Sequence, residues 1–86
     1  MAEVWLSPGI ALPQYESLRG DARMRRVLGR VDGILDALER DPGQAWLRAH
    51  RFRDPPLWCV TFDAGGESWA ILWSMGEDGK VLVDFL

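Results

Sequence analysis

His50, Arg51 and Arg53 lie in the run Arg48-Ala49-His50-Arg51-Phe52-Arg53, the densest group of side chains in this sequence that could do chemistry. Two arginines flanking Phe52 could clamp a phosphate backbone or seat an acidic partner. They could equally form a solvated edge, where exposed ion pairs contribute little. His50 titrates near neutrality and could move a proton. No carboxylate stands at a spacing that would orient its ring, so a structural or surface role is the plainer reading. Cys59 would need a nearby base to act as a nucleophile, and a small, half-buried strand residue is the simpler account. Trp69 and Trp73 could stack on bases, but bulky aromatics two residues apart are more often core. A second basic group, Arg19, Arg23, Arg25, Arg26 and Arg30, reads as a solvated helix face with Asp21, Asp32 and Asp36 within pairing distance.

Composition narrows the classes. Eighty-six residues with 48% hydrophobic and 27% charged content describe one globular domain rather than a disordered chain. No apolar run approaches the roughly 20 residues that span a bilayer, and MAEVWLSPG lacks the basic-then-apolar order of a signal peptide. A cytoplasmic protein without membrane contact is expected. One cysteine and one histidine exclude an internal disulfide and leave no zinc ligand set; no metal or cofactor is expected. The net charge of −3 is unevenly placed, since every arginine precedes Asp54 and Lys80 faces six acids after Arg53. Any contact with nucleic acid would therefore need a local patch.

The elements that must position these residues follow from periodicity. Met24, Val27, Leu28, Val31, Ile34, Leu35 and Leu38 form a single apolar stripe, predicting a helix from Asp21, its N-cap, to Asp41-Pro42-Gly43, its stop. Gly29 and Gly33 inside it either admit close packing or are tolerated at the surface. Before it, Glu3–Ser7 reads as a strand, and a shorter helix is expected from about Pro13 to Arg19, or from just after Ser7. Gly20 separates the two helices into a hairpin. Residues 45–52 alternate weakly, leaving strand and loop both open, and Asp54-Pro55-Pro56 marks a bend. Three strands then follow, Leu57–Phe62, Ser68–Ser74 and Val81–Leu86, joined by glycine-containing acidic turns into an antiparallel meander.

Period two divides the meander into faces. Trp58, Val60, Phe62, Trp69, Ile71, Trp73, Val81, Val83 and Phe85 should pack on the helix stripe. The other face carries Leu57, Cys59, Thr61, Ala70, Leu72, Ser74, Leu82, Asp84 and Leu86. It is small and partly apolar, suited to a partner surface or a shallow groove.

The order strand, helical hairpin, three-stranded meander resembles the RelE/ParE superfamily of bacterial toxin–antitoxin toxins. The phrases that carry it are VWLSPGIAL, LDALERDPG, RAHRFRDPPLWCVTFD and ESWAILWSMGEDGKVLVDFL, which together span nearly the whole chain. The resemblance implies an α+β fold, with a helical hairpin packed on a mostly antiparallel sheet that ends in the three-stranded meander, all in one domain over 1–86. It implies a cognate antitoxin as partner and, by branch, either ribosome-dependent cleavage of mRNA or poisoning of DNA gyrase. Arg51 and Arg53 match basic positions that contact RNA, and His50 is the proton-transfer candidate, so the three are the expected catalytic set. The arginines usual in the first and central meander strands fall instead at Thr61 and Ala70. Cleavage by 2′-hydroxyl attack needs a base, an acid and a cation, and most of the family's catalytic positions are missing here. The expected function is therefore a toxin-like component, a ribonuclease or a degenerate relative. The alternative is a non-catalytic interaction module, including a gyrase binder or a homodimer, that pairs or self-associates through the Ala70/Leu72 face or the edge strands.

Overall fold

The computed structural model describes residues 2–53 and 57–85, with backbone alone at Phe52. The elements are β1 (Val4–Leu6), α1 (Ala11–Arg19), a 3₁₀ turn (Ala22–Met24), α2 (Arg25–Arg40), a second 3₁₀ turn (Ala45–Arg48), β2 (His50–Phe52), β3 (Leu57–Ala64), β4 (Glu67–Met75) and β5 (Val81–Phe85). The strands form one mixed sheet in the order β1-β5-β4-β3-β2. Only the β1–β5 pair is parallel, and the helices carry the chain from β1 at one edge of the sheet to β2 at the other. The fold is thus α+β, with β4 at the centre of the sheet.

The stripe on α2 does what its spacing requires. Val27, Val31, Ile34 and Leu38 are buried against Val60, Phe62, Ile71, Trp73, Val81 and Val83 of the sheet. Asp21 caps the 3₁₀ turn that leads into α2, its carboxylate accepting from the Arg23 amide at 3.0 Å. α1 starts at Ala11, so Pro13 sits in its first turn, where the missing N–H costs nothing. Ser7 organises this start: its hydroxyl accepts from the Ala11 amide at 2.9 Å and donates to the Asp84 carbonyl at 3.1 Å. Helix, first strand and last strand are tied together at that one side chain.

Residues 45–52, open between strand and loop from the sequence, form both a 3₁₀ turn and the edge strand β2. Leu47 of the turn is fully buried, and its carbonyl accepts the Trp73 indole N–H at 3.0 Å. The β3–β4 hairpin closes on Gly65-Gly66 between paired Ala64 and Glu67. Both glycines have positive φ, 62° and 81°, as a two-residue type I′ turn demands. The expected bend at Asp54-Pro55-Pro56, and Leu86 at the end of the last strand, lie outside the described residues.

One face assignment is corrected. Phe85 was expected among the core residues, yet it is 47% exposed and pairs with Leu72. The pairing advances one residue in β4, from Leu72 to Trp73, but two in β5, from Phe85 to Val83. Asp84 is the extra residue of a β-bulge, which turns Phe85 to the opposite face.

Candidate functional site

The helices and the 3₁₀ turns cover one side of the sheet, and among the described residues no helix lies on the other. Three cross-strand rows line that open face: Trp5–Leu82–Ser74, Phe85–Leu72–Cys59–His50, and Ala70–Thr61. Trp5 is 52% exposed, Phe85 47% and Leu82 37%. Leu72, Ala70 and Ser74 are half-buried, and Thr61 is exposed. Period two places Trp5 here, because Val4 and Leu6 pack with the core on the other side. Phe85 comes from the bulge.

The charged groups beside these rows are mostly partnered, and one of them, Asp84 of β5, lies next to the central strand. The Asp84 carboxylate accepts from the Ser74 hydroxyl at 2.9 Å, and Asp63 accepts from Ser68 at 2.9 Å. The Lys80 ammonium lies 3.7 Å from both Glu3 and Asp78 and sits 5.5 Å from the centre of the Trp5 ring. An exposed tryptophan, phenylalanine and leucine with few charges between them form a surface of the kind that marks association sites.

Of the three residues expected to act together, His50 and Arg51 are successive positions of β2 and Arg53 lies just beyond its end. His50 pairs with Cys59 and Arg51 with Trp58, so successive residues of β2 face opposite sides. His50, Arg51, Cys59 and Thr61 nevertheless line one hollow of about 420 Å³ at the open-face edge. Burial pushes the Cys59 thiol pKa up, keeping it in the less nucleophilic protonated form. The Arg51 guanidinium lies 4.7 Å from the Trp58 ring centre. Arg53 falls in the turn beyond β2 and is exposed.

Arg48, from the same basic run, has a structural role that its sequence context did not signal. Its Nε donates to the Pro42 carbonyl at 2.8 Å, and its guanidinium lies 4.6 Å from the Trp58 ring centre. Trp58 in turn packs on Trp73 with ring centres 4.8 Å apart. Arg48, Trp58, Trp73 and Leu47 thus form one continuous stack that closes this end of the core.

A further hollow of about 460 Å³ lies between α1, the first 3₁₀ turn and β4. Pro13, Leu18, Met24 and Trp69 line it, with Asp21 at the polar margin. Arg23, hydrogen-bonded to Asp21 by side chain and backbone, holds the Asp21 carboxyl below its usual range. The Trp69 indole N–H is buried without an acceptor among the described residues, a loss on the order of 1–3 kcal/mol against a hydrogen-bonded state.

No protein-family model, curated protein or solved structure matches the chain. No group of three or more histidine, cysteine or acidic residues among the described residues could hold a metal ion, and none of the described helices is long and apolar enough to cross a membrane.

Proposed function

We propose that this chain is a toxin-like component of a toxin–antitoxin pair and that it works by protein contact through its open sheet face. The observation that carries this reading is the exposed Trp5, Leu82 and Phe85 beside half-buried Leu72 on one face of the sheet. Covering those side chains removes apolar area from water, at about 25 cal/mol for each Å². The connectivity supports the toxin-like part: a first strand parallel to the last, two helices between them, and an antiparallel meander closing the sheet. RNA cleavage by His50, Arg51 and Arg53 fits the geometry less well. Period two directs His50 and Arg51 to opposite sides, whereas 2′-hydroxyl attack needs base and cation to converge on one phosphate.

Bacterial growth after induction of the chain alone tests the proposal. The parent is expected to arrest growth. Leu72→Glu should abolish the arrest, and the Arg51→Ala/Arg53→Ala double variant should keep it. Arrest lost in the arginine variant and kept in Leu72→Glu would transfer the activity to the basic edge. Normal growth with soluble, folded parent protein would overturn the toxin-like reading.

A further inference from the structure

We infer that the free edge of β1 is a docking groove for an extended basic segment of a partner protein, which pairs with Val4 and Leu6 as an added strand. The groove lies at the edge of the sheet rather than on its open face, so the inference stands apart from the proposed function.

β1 is an outermost strand and borders only β5. The Glu3 carbonyl accepts from the Val81 amide at 2.8 Å, and the Ser7 amide donates to the Val83 carbonyl at 2.9 Å. Alternate residues of a strand turn their N–H and C=O to opposite edges. Val4 and Leu6, between those two, therefore present theirs to the outside. No strand or loop among the described residues hydrogen-bonds to these groups. Edge strands are commonly guarded by lysine, proline, a bulge or an inward charge. Val4-Trp5-Leu6 has none of these and consists of apolar residues suited to a strand. Its three-residue length is its one guard. The opposite edge strand, β2, carries His50 and Arg51.

A hollow of about 340 Å³ runs beside this edge, between β1 and the helices. Val4, Leu6 and Leu35 give it an apolar floor, and Asp32, Asp36 and Glu39 give it an acidic wall. The Ala2 amide donates to the Glu39 carbonyl at 2.6 Å, which ties the start of the chain to α2. No lysine or arginine lines the hollow. Asp32 accepts the Tyr15 hydroxyl at 2.6 Å, a bond that leaves its negative charge in place. Asp36 pairs with Arg40 at 2.8 Å, and Glu39 has no ion-pair partner among the described residues. Arg40 on Asp36 and Arg19 beside Tyr15 are cations at the margin, so the wall keeps an excess of negative charge.

Charge and spacing together select the occupant. The three carboxylates lie four and three residues apart on one side of α2, about 6 and 4.5 Å along its axis. Alternate side chains of an added strand are about 6.7 Å apart, so basic residues at alternate positions come within reach of the wall. Their aliphatic stems lie on Leu35 while their charged ends meet Asp32 and Glu39. The backbone pairs with Val4 and Leu6, so main-chain bonds supply affinity and side chains supply specificity. The intervening side chains emerge on the opposite face beside Trp5, which is 52% exposed and favours apolar residues there. A second copy joined through its own β1 would instead bring two acidic walls together, which like-charge repulsion opposes.

NMR titration of the labelled full chain with a short capped peptide alternating lysine and valine tests this. The Val4 and Leu6 amides should shift, and their hydrogen exchange should slow. A matched peptide with glutamate in place of lysine should not bind. Asp32→Asn/Glu39→Gln keeps an acceptor for Tyr15 and changes only exposed side chains. It should weaken binding by about three- to tenfold and leave the melting curve of the parent in place. Only one edge of an added strand faces β1. N-methylation of one alternate set of peptide amides should therefore abolish binding, and of the other set should leave it. No shift at Val4 and Leu6 with millimolar peptide would overturn the inference, as would equal affinity for the lysine and glutamate peptides. Shifts confined to the open face around Leu72, or binding that survives N-methylation of either set, would also overturn it. None of these results bears on the growth comparison, which judges the proposed function separately.

Discussion

Replacing Gly29 and Gly33 with alanine should stabilise this protein substantially. Both lie inside α2, both are exposed, and an added Cβ at either position would meet nothing within 4 Å. Neither has a positive φ, so alanine fits the existing backbone without strain. Glycine inside a helix costs about 1 kcal/mol relative to alanine, mainly through the freedom it retains in the unfolded chain. The two β-carbons project into solvent and do not compete for space, so the effects should add to about 2 kcal/mol. For a domain of this size that is a rise in Tm of about 8–16 °C. Urea titrations followed by circular dichroism, with unchanged slope, would measure it. Growth arrest should be unaffected, because α2 lies on the far side of the sheet. A double variant no more stable than the parent would refute the reasoning. It would mean that the shallow hollow beside these glycines, bordered by Trp46, Val60 and Phe62, closes in solution in a way that leaves a methyl group no room.

Trp73→Phe should cost about 2–4 kcal/mol, because it opens a cavity in the core and strands the Leu47 carbonyl that the indole now satisfies; chemical denaturation would show it. Arg48→Ala should cost about 1–3 kcal/mol through the lost Pro42 hydrogen bond and the bared Trp58 ring, whereas exposed Arg51→Ala should cost less than about 1 kcal/mol. Equal melting temperatures for the two variants would contradict the assigned roles. Stability should also fall at alkaline pH. The Tyr15 phenol donates to Asp32 at 2.6 Å, and burial surrounds the Cys59 thiol; both effects raise the pKa above its ordinary value. The folded chain therefore holds protons that the unfolded chain has released. This stability is complete below the ordinary thiol and phenol range and is lost as pH rises through the folded values. A Tyr15→Phe/Cys59→Ala variant should show a flatter alkaline limb in urea titrations run at stepped pH.

Much of the fold was legible because it rests on local, repeating signals. The stripe from Met24 to Leu38 could bury itself only as a helix, and the aromatic alternation in residues 57–74 only as strands. The stop of α2 followed at Asp41-Pro42, whereas Asp21, expected to cap α2, caps the 3₁₀ turn before it and α2 starts at Arg25 with no side-chain cap. Period two misplaced Phe85 because a bulge is set by tertiary ties. Ser7 bonds the Asp84 carbonyl and Ser74 its carboxylate, across separations of 77 and 10 residues. No local pattern carries that information. In the basic run, adjacent residues take alternate positions across β2 once it forms, which the run itself does not show. Arg48 could not be told apart from its neighbours until Pro42 and Trp58 were brought to it. The open face was visible in outline as Ala70, Leu72 and Leu82. Its apolar weight comes from Trp5 and Phe85, one delivered by the parallel pairing of β1 and the other by the bulge.

The account stands or falls on whether the open face is covered when the protein is at work. Hydroxyl-radical footprinting of the chain in living bacteria, compared with dilute purified monomer, measures that directly. The account predicts strong protection in the cell at Trp5, Leu72 and Phe85, with unchanged labelling of Trp46, which is 48% exposed on the helix side. Equal labelling of Trp5, Leu72 and Phe85 in the two states would contradict it.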